Sequence, residues 1–432
     1  MIPSPTAAES SERNPSLAFP RLLGCRHAAV AVPLVCPGEK SSSTPVPLLP
    51  LEQLMKRHLP RFLQLGMVVW LGCFGNLAAA QGTRIVAEGS EPHHPRQPQV
   101  AVDEAGTVHI AYGLGDTVLY RRADSSTLDF SDAVTLELAP VMSLGMRRGP
   151  RVAASGGAVC ITAIGGQTGK GRDGDVWAVR TRDGGASWSE PVRVNSVEGS
   201  AREGLHGMAA GENGAMCCAW LDLRHGVTEI MAATSHDGGA TWAPDVLVYR
   251  SPEKNVCECC HPAVAYDNDG DIHVQWRNSL GGNRDMFVAH SRDGGQSFGS
   301  AEKLGRGTWA LNACPMDGGA LAVVGGKLMS AWRRDRTVFL VDSLGAIEQP
   351  LGSGEQPWLA ATVQGPYVAW VSSRGGRLQL LRPGADATAT LSEKAADPVL
   401  AVGPGAKPPV VAVWEEAAGD ERRIVCEVVT GD

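Results

Sequence analysis

An eight-residue pattern that recurs three times constrains the fold of this 432-residue chain more than any other feature. Each copy follows the form Ser/Thr-x-Asp-x-Gly-x-x-Trp/Phe, and the aspartates are 54 and 56 residues apart (237 − 183 and 293 − 237). Repetition at a nearly fixed period indicates a repeat architecture in which each copy marks one supersecondary unit. The fixed positions of the copies are Asp183, Gly185 and Trp188, then Asp237, Gly239 and Trp242, then Asp293, Gly295 and Phe298.

The residue types of this pattern predict a hairpin turn rather than a reaction site. An aspartate carboxylate accepts hydrogen bonds from turn amides, and glycine adopts positive φ without steric cost. The aromatic ring supplies a large apolar surface that packs beneath the hairpin. We therefore expect these fixed residues to be structural.

Four short apolar runs surround each copy in the same order. In the unit that begins at His261, runs at 263–266, 272–276 and 286–290 precede the pattern, and a fourth run follows it. Six of the first runs open on a proline, and 52 glycines and 28 prolines supply the many turns that short strands need. Four short strands per unit, repeated radially, predict an all-β fold, namely a β-propeller of four-stranded antiparallel blades.

Counting the units favours seven blades, with six as the alternative if one unit is irregular. The last unit has room for only three strands, and residues 83–88 are expected to supply its fourth strand and close the ring. We expect a single propeller domain over residues 81–432, with approximate blades at 90–142, 143–198, 199–252, 253–306, 307–353, 354–395 and 396–432.

The first eighty residues are expected to lie outside the propeller. Residues 1–54 are rich in Pro, Ser and Ala and predict a disordered or wrongly assigned leader. Residues 55–80 combine a basic start, an apolar run and Ala78-Ala79-Ala80, which is the order of a secretory signal peptide. The apolar run of about 13 residues is shorter than the roughly 20 of a membrane span. The protein is therefore predicted to be exported, to the periplasm, the cell surface or the medium, and Leu71-Gly72-Cys73 leaves a lipoprotein signal open.

The charge of the chain excludes one broad class of partner. Thirty-nine basic residues against 46 acidic ones give a net charge of −7. Nucleic-acid binding rests on a basic surface, so we expect no DNA or RNA partner.

The three copies make residues 83–432 resemble the Asp-box (bacterial neuraminidase repeat) propellers of the sialidase superfamily. The stretch from Cys257 to Pro315 also resembles uncharacterised exported sialidase-like proteins. The resemblance implies an exo-α-sialidase-like glycoside hydrolase, which holds a sugar carboxylate with three arginines and uses a Tyr–Glu pair and an aspartate. The chain departs from that scheme, because the family's Phe/Tyr-Arg-Ile-Pro is absent and all five tyrosines fall in strands or at strand ends.

One face of the predicted propeller carries the candidate site. In an up-and-down blade the start of the first strand and the loop after the second strand lie together, and ligands occupy such a shared concavity. Guanidinium groups bind carboxylate or sulfate in a two-pronged fork, so the candidates for an acidic glycan are Arg96, Arg148, Arg277 and Arg333. Hydrolysis needs two carboxyl groups, and the candidates are Glu203, Asp222, Asp285 and Asp335.

Sulfur residues are expected on the same face. Cys257, Cys259, Cys260 and His261 precede the first strand of the fourth unit, and Cys314 precedes that of the fifth. Neighbouring blades would bring them together at the mouth of the channel. In an oxidising compartment they would form disulfides, whereas four thiols and an imidazole would also hold Cu or Zn. A redox or nucleophilic thiol is the third alternative.

The sequence thus leaves three functions open. The first is a glycoside hydrolase or glycan-binding protein for acidic sugars, on the arginine-rich face. The second is a non-catalytic binding or scaffold propeller, which the departures from the sialidase scheme favour. The third is a metal-binding or redox propeller that uses the cysteine cluster.

Overall fold

Every regular element in the described part of the chain is a β-strand. The computed structural model describes residues 82–169 and 171–430, and no helix occurs among them. Within those residues, accordingly, there is no long apolar helix of the kind that crosses a membrane. The leader predicted at 1–54 and the signal peptide predicted at 55–80 lie outside the described residues and stay predictions.

The strands follow one another as antiparallel meanders. After β1 (Arg84–Ser90), the first sheet contains β2 (Pro95–Val102), β3 (Thr107–Leu114), β4 (Thr117–Asp124) and β5 (Val134–Leu136). The second contains β6 (Val141–Met142), β7 (Arg151–Ser155), β8 (Ala158–Gly166), β9 (Asp175–Thr181) and β10 (Val192–Arg193). The third contains β11 (His206–Ala210), β12 (Met216–Asp222), β13 (Glu229–Ser235) and β14 (Val246–Tyr249).

The remaining strands form three further sheets. The fourth sheet contains β15 (Ala263–Tyr266), β16 (Ile272–Arg277), β17 (Met286–Ser291) and β18 (Glu302–Lys303). The fifth contains β19 (Ala320–Val324), β20 (Lys327–Arg334), β21 (Thr337–Val341) and β22 (Gln349–Ser353). The sixth contains β23 (Glu355–Thr362), β24 (Gly365–Val371), β25 (Gly376–Leu381), β26 (Ala389–Val402), β27 (Val410–Ala418) and β28 (Glu421–Val428), together with β1.

The sixth sheet has seven strands because β26 belongs to two meanders. Residues 389–395 of β26 pair with β25, and residues 395–402 pair with β27. The expected count of seven separate blades is therefore corrected: five sheets of four or five strands are separate, and the last two predicted units form one continuous sheet. No glycine interrupts the chain between 389 and 402, so the outer strand of one unit continues into the first strand of the next.

The first strands of the units surround a central channel. Contacts run from β2 to β7, β11, β15, β19, β23 and the second half of β26, which returns to β2. The strand β1 pairs antiparallel with β28, from Arg84 opposite Cys426 to Ser90 opposite Glu421. This pairing confirms that residues 83–88 contribute to the last strand, and it joins the two ends of the described chain in one sheet.

Apolar cores lie between neighbouring sheets. Between the third and fourth sheets, Leu221 and Ile230 pack with Val274 and Trp276, and all four are fully buried. Tryptophans at the ends of second strands are among the largest buried side chains, namely Trp220, Trp276, Trp370 and Trp414. Rings of this size bury more apolar surface than any other side chain, which explains why they recur at one position of the unit.

The three Asp boxes are the turns between third and fourth strands, as predicted. In the first box, the hydroxyl of Thr181 donates to Asp183 Oδ1 at 2.7 Å, and the amide of Ser187 donates to the same oxygen at 2.9 Å. Gly239 of the second box has a φ of +85°, and a Cβ there would lie 2.6 Å from the sulfur of Cys160 in the preceding sheet. Only glycine fits that turn, so Gly239 has a structural role there.

Candidate functional site

A pocket of about 570 Å³ lies where the segments that lead into the first strands of the first three units meet. The turn between β3 and β4 and the loop between β8 and β9 complete its wall. These are the starts of first strands and the loops after second strands, so the pocket opens on the face predicted to carry the site. Its polar lining consists of His94, Arg96, Asp116, Ser143, Arg148, Arg202 and Glu203.

Two arginines flank Glu203 in this pocket. The Nε atom of Arg148 donates to the main-chain oxygen of Glu203 at 2.7 Å, and Arg148 Nη2 lies 4.0 Å from Glu203 Oε2. Gly204, at a φ of +76°, brings this segment against Ser143, where a Cβ would approach the Ser143 side chain to 2.7 Å. Arg202 forms no ion pair with any described residue, so its guanidinium group is available to a ligand.

Arg96 reaches the pocket from the opposite wall. Its Nη2 atom donates to Glu91 Oε1 at 3.0 Å, and His94 Nδ1 lies 3.0 Å from the same oxygen. The side chain of Glu91 is 66% exposed, and an ion pair with so exposed a partner is weak. A buried anion would therefore compete well with Glu91 for Arg96.

Glu203 is the carboxyl group of this pocket whose pKa is raised. Burial raises the pKa of Glu203, the positive charge of Arg148 opposes that rise, and the negative charge of Glu258 adds to it. The side chain of Glu258 is exposed. A half-buried acid beside an exposed carboxylate is the arrangement that separates a general acid from its partner in glycoside hydrolysis.

The structure places Arg277 and Arg333 outside this pocket, although both were predicted to bind the ligand. Arg277 is buried and donates to the main-chain oxygens of Asp317, Arg284 and Arg333 at 3.1, 2.7 and 3.0 Å. Arg333 donates to Glu355 Oε2 and to the oxygen of Pro315, both at 2.8 Å. All three guanidinium nitrogens of Arg277 and two of those of Arg333 thus donate within the protein.

The other predicted acids also lie outside the pocket. Asp222 is fully buried, and Arg224 Nε, Ser200 Oγ and Trp220 Nε1 all donate to it at 2.7 to 2.8 Å. Burial alone would raise the pKa of Asp222, but these hydrogen bonds hold it below its usual value. Asp285 pairs with Lys303 Nζ at 2.8 Å, and Asp335 lies at an exposed turn with a φ of +55°.

A buried polar network that the sequence analysis missed crosses the channel mouth. Asp397 accepts hydrogen bonds from the side-chain amides of Gln97 and Gln356, both at 2.7 Å. Arg147 lies beside it, with Nε at 3.4 Å from Asp397 Oδ1. Glu415 Oε1 accepts from the main-chain N–H of Gln97 at 2.7 Å. The network links units at both ends of the chain, and sequence spacing gives no signal for such contacts.

Three of the predicted sulfur residues form a compact buried cluster. The sulfur of Cys257 lies 3.6 Å from that of Cys259 and 3.5 Å from that of Cys260, and the remaining pair is 4.0 Å apart. Cys314 is exposed and lies beside Cys259, whose hydrogen bond raises the pKa of Cys314. All eight described cysteines are unpaired, so the predicted disulfides are not present here.

His261 is separated from the thiols, contrary to the predicted shared site. The three sulfurs form a group of ligand atoms within 4.8 Å of one another, and His261 is not in that group. Its ring stacks on Trp358, with centroids 6.2 Å apart, beside a channel cavity of about 70 Å³. Burial, followed by the charges of Arg147 and Arg151, lowers the pKa of His261 well below its usual value, so the ring is neutral.

The pocket combines predicted and unpredicted residues. Arg96, Arg148 and Glu203 were among the candidates and come together there, whereas Arg202, His94 and Asp116 were not selected. Arg202 stands next to Glu203 at the start of a first strand, so the same positional rule would have found it. Asp116 lies in a two-residue turn after a second strand, which the sequence analysis left out.

Comparison with known families identifies one domain. Residues 151–335 match the family model described as a BNR repeat-like domain. This range covers the Asp boxes and the cysteine cluster. No curated protein matches the sequence.

Solved structures with similar folds include carbohydrate-active enzymes. An α-L-arabinanase of Penicillium chrysogenum, solved with arabinobiose, is 11% identical and covers 81% of this chain and 98% of its own, with a TM-score of 0.49. A leech intramolecular trans-sialidase is 9% identical, and the match covers 80% of this chain and 70% of that protein, with a TM-score of 0.46. A Dyadobacter fermentans protein of unknown function is 15% identical, and the match covers 80% of this chain and 99% of that protein, with a TM-score of 0.43. Likenesses this distant assign no activity.

Proposed function

We propose that this chain, whose residues 151–335 match a BNR repeat-like domain, recognises an acidic sugar. The binding site is the pocket of about 570 Å³ beside Arg96, Arg148 and Arg202. One observation carries the proposal: three guanidinium groups converge on a concave surface, and Arg202 among them has no carboxylate partner in the described residues.

The chemistry of the pocket favours an anion on a polar scaffold. A guanidinium group binds a carboxylate or sulfate through two parallel hydrogen bonds. The hydrogen bond from Arg148 to the main chain of Glu203 holds the Arg148 side chain in place. That side chain therefore loses little further conformational entropy when the ligand binds. Ser143 and His94 add hydrogen-bonding groups for sugar hydroxyls. The ligand is therefore a glycan that carries a carboxylate or sulfate group.

Binding is tested with the full chain on a panel of sialylated, uronic-acid, sulfated and neutral glycans. We expect binding to acidic glycans only, with affinity reduced at least about tenfold in Arg202→Gln, since one charge-assisted hydrogen bond contributes roughly 1.5–3 kcal/mol. Arg193→Gln is the matched control, because Arg193 lies on the outer strand β10 beside exposed Glu198. Equal binding of neutral glycans, or full affinity in Arg202→Gln, would contradict the proposal.

A second candidate function is hydrolysis of the same glycan, and the environment of Glu203 favours it. Glu203 would donate the proton to the leaving oxygen, and Glu258 would supply the second carboxyl group. This pair differs from the Tyr–Glu scheme of the sialidases. The fold resembles that of glycoside hydrolases, but the chemistry rests on these two residues.

Hydrolysis is tested with fluorogenic glycosides of the sugars that bind. We expect a rate that falls as pH rises through the raised pKa of Glu203, and a loss of roughly 10²–10⁴-fold in Glu203→Gln. Asp335→Asn, at an exposed turn outside the pocket, is expected to keep full activity. Absence of turnover with any bound sugar would leave the protein a binding propeller.

We also propose that the protein is exported. The support is the basic, apolar and small-residue order of residues 55–80. Amino-terminal sequencing of protein recovered outside the cytoplasm should find Gln81 as the first residue. Recovery of the protein only from the cytoplasm, with residues 55–80 intact, would contradict export.

A further inference from the structure

We propose that Cys257, Cys259 and Cys260 bind one Cu(I) ion, at a site separate from the sugar pocket. Their three sulfur atoms lie within 4.8 Å of one another and are buried. The neighbouring apolar side chain is itself a sulfur residue, Met316. Thiolate and thioether sulfurs are the ligands that soft Cu(I) prefers.

The separations of the sulfurs fit a metal bound by thiolates. A metal–sulfur bond of about 2.3 Å places the sulfurs of a tetrahedral site roughly 3.8 Å apart and those of a trigonal site roughly 4.0 Å apart. The observed separations are 3.5, 3.6 and 4.0 Å. A disulfide needs about 2.05 Å, and none of the three sulfur pairs is that close.

Two main-chain hydrogen bonds hold the start of the segment that carries the sulfurs. The amide of Val256 donates to the oxygen of Thr228 at 3.1 Å, and the amide of Cys257 donates to the oxygen of Arg277 at 3.0 Å. Cys257 and Cys260 are each 1% exposed, and Cys259 is 7% exposed. A rigid pocket closed to water suits an ion that needs no water ligand.

The surroundings favour Cu(I) over Zn. A structural zinc site is closed by four ligands, whereas the fourth cysteine, Cys314, is exposed and lies outside the group of three. Met316 is held against the group with a φ of +55°, a conformation that a non-glycine residue adopts only when its surroundings enforce it.

Cys314 has a separate place in this arrangement. It lies beside Cys259 on the solvent side of the group. An exposed thiol next to a buried one provides a route by which copper passes from solvent to the three-sulfur site. Cys314 is therefore an access residue, and the site is complete without it.

The test uses the full chain, purified without oxygen and with a reductant, loaded with Cu(I) and challenged with a chromogenic Cu(I) chelator. We expect one copper per chain to be retained, and X-ray absorption to find three sulfur neighbours at about 2.3 Å. Cys260→Ser should lose copper to the chelator at least tenfold more readily. Cys314→Ser should keep it, as should Cys217→Ser, which removes a buried thiol of β12 outside the group.

Several outcomes would overturn the site. Removal of all copper from the unmodified chain, or equal retention by Cys260→Ser, means that the thiols only pack as small apolar side chains. Uptake of zinc in place of copper, abolished by Cys314→Ser, means a four-cysteine zinc site. X-ray absorption is measured on the unmodified chain. The number of sulfur neighbours it finds around copper therefore tests the three-sulfur site even if Cys260→Ser fails to fold.

Discussion

In each Asp-box turn, the aspartate carboxylate stabilises the turn by accepting hydrogen bonds, although burial opposes its ionisation. Burial opposes ionisation of Asp237, but the Thr241 hydroxyl and amide, the Ser235 hydroxyl and the Ala240 amide lower the pKa of Asp237 to about 2. The pKa of Asp293 is also lowered to about 2, first by the hydroxyl of Ser297. Each box thus contributes a charge-assisted turn that stabilises the folded state only while the aspartate is ionised.

Replacing Asp237 with alanine is expected to reduce the free energy of unfolding by roughly 1–2 kcal/mol at neutral pH, since the turn is part-exposed. The folded-state pKa of about 2 lies below the usual 3.8. The contribution is therefore complete above about pH 4 and is lost as pH falls through 2. Chemical denaturation at several pH values measures it, with the exposed Asp269→Ala as control. A deficit in Asp237→Ala that persists at pH 2 would contradict this account.

Glu415 has the opposite shift. Burial, and then the negative charge of Asp397, raises the pKa of Glu415 to about 7. The folded state therefore binds a proton that the unfolded state releases near pH 4.5. The stability from this group is complete below about pH 4.5 and is lost as pH rises through about 7.

Because ionisation of Glu415 removes this stability, the melting temperature is expected to fall by at least about 2 °C between pH 5 and pH 8. Glu415→Gln should remove this fall in melting temperature, because the glutamine side chain does not ionise. Its side-chain oxygen still accepts the hydrogen bond from the main-chain N–H of Gln97. Glu421→Gln, at an exposed strand end, should behave as the unmodified protein. An unchanged pH dependence in Glu415→Gln would contradict the raised pKa.

At the scale of elements, first strands begin with a distorted residue that ties units together. Gln97, Gln356 and Asp397 have φ values of +55°, +55° and +49° and each precedes a proline. The strand pairing shifts register at each of these points. Non-glycine residues adopt positive φ rarely, and here the side chains of Gln97 and Gln356 donate to Asp397 between neighbouring first strands.

Asp397→Asn is expected to cost about 3–5 kcal/mol, because it removes the carboxylate that forms the ion pair with the buried Arg147. Urea unfolding measures the loss. Combining Asp397→Asn with Arg147→Met should cost less than the sum of the single changes by at least about 1 kcal/mol. Strict additivity of the two changes would show that the pair does not interact.

Element order was the part of the fold that the sequence predicted best. The spacing of the boxes, the prolines before first strands and the tryptophans at the ends of second strands located the strands of each unit. The shared strand β26 was not predicted, because its length depends on the absence of a turn between two units. Among the candidate residues, sequence position alone could not show that Arg148 lines the pocket and Arg277 does not. The guanidinium group of Arg277 donates to carbonyl oxygens 7 to 56 residues away.

At the scale of the molecule, β1 makes the last sheet complete. Val86 is fully buried against a core that includes Ile424 and Val413. Without β1, β28 would be an unpaired edge strand, which is an aggregation hazard. The two ends of the described chain therefore stabilise each other.

A chain that starts at Glu91 is expected to lose at least about 2 kcal/mol of unfolding free energy, the value of burying one valine side chain, and to aggregate. A chain that starts at Gly82 keeps β1 and is the control. Urea unfolding and light scattering measure both effects. Equal stability of the two chains would mean that β1 does not close the sheet.

The location of a bound acidic glycan tests the whole account most directly. A crystal structure of the full chain with the best-bound glycan should place its carboxylate or sulfate within hydrogen-bonding distance of Arg148 and Arg202, with a sugar oxygen at Glu203. A glycan found instead in the channel beside His261 and Trp358, or on the face of the Asp boxes, would contradict it.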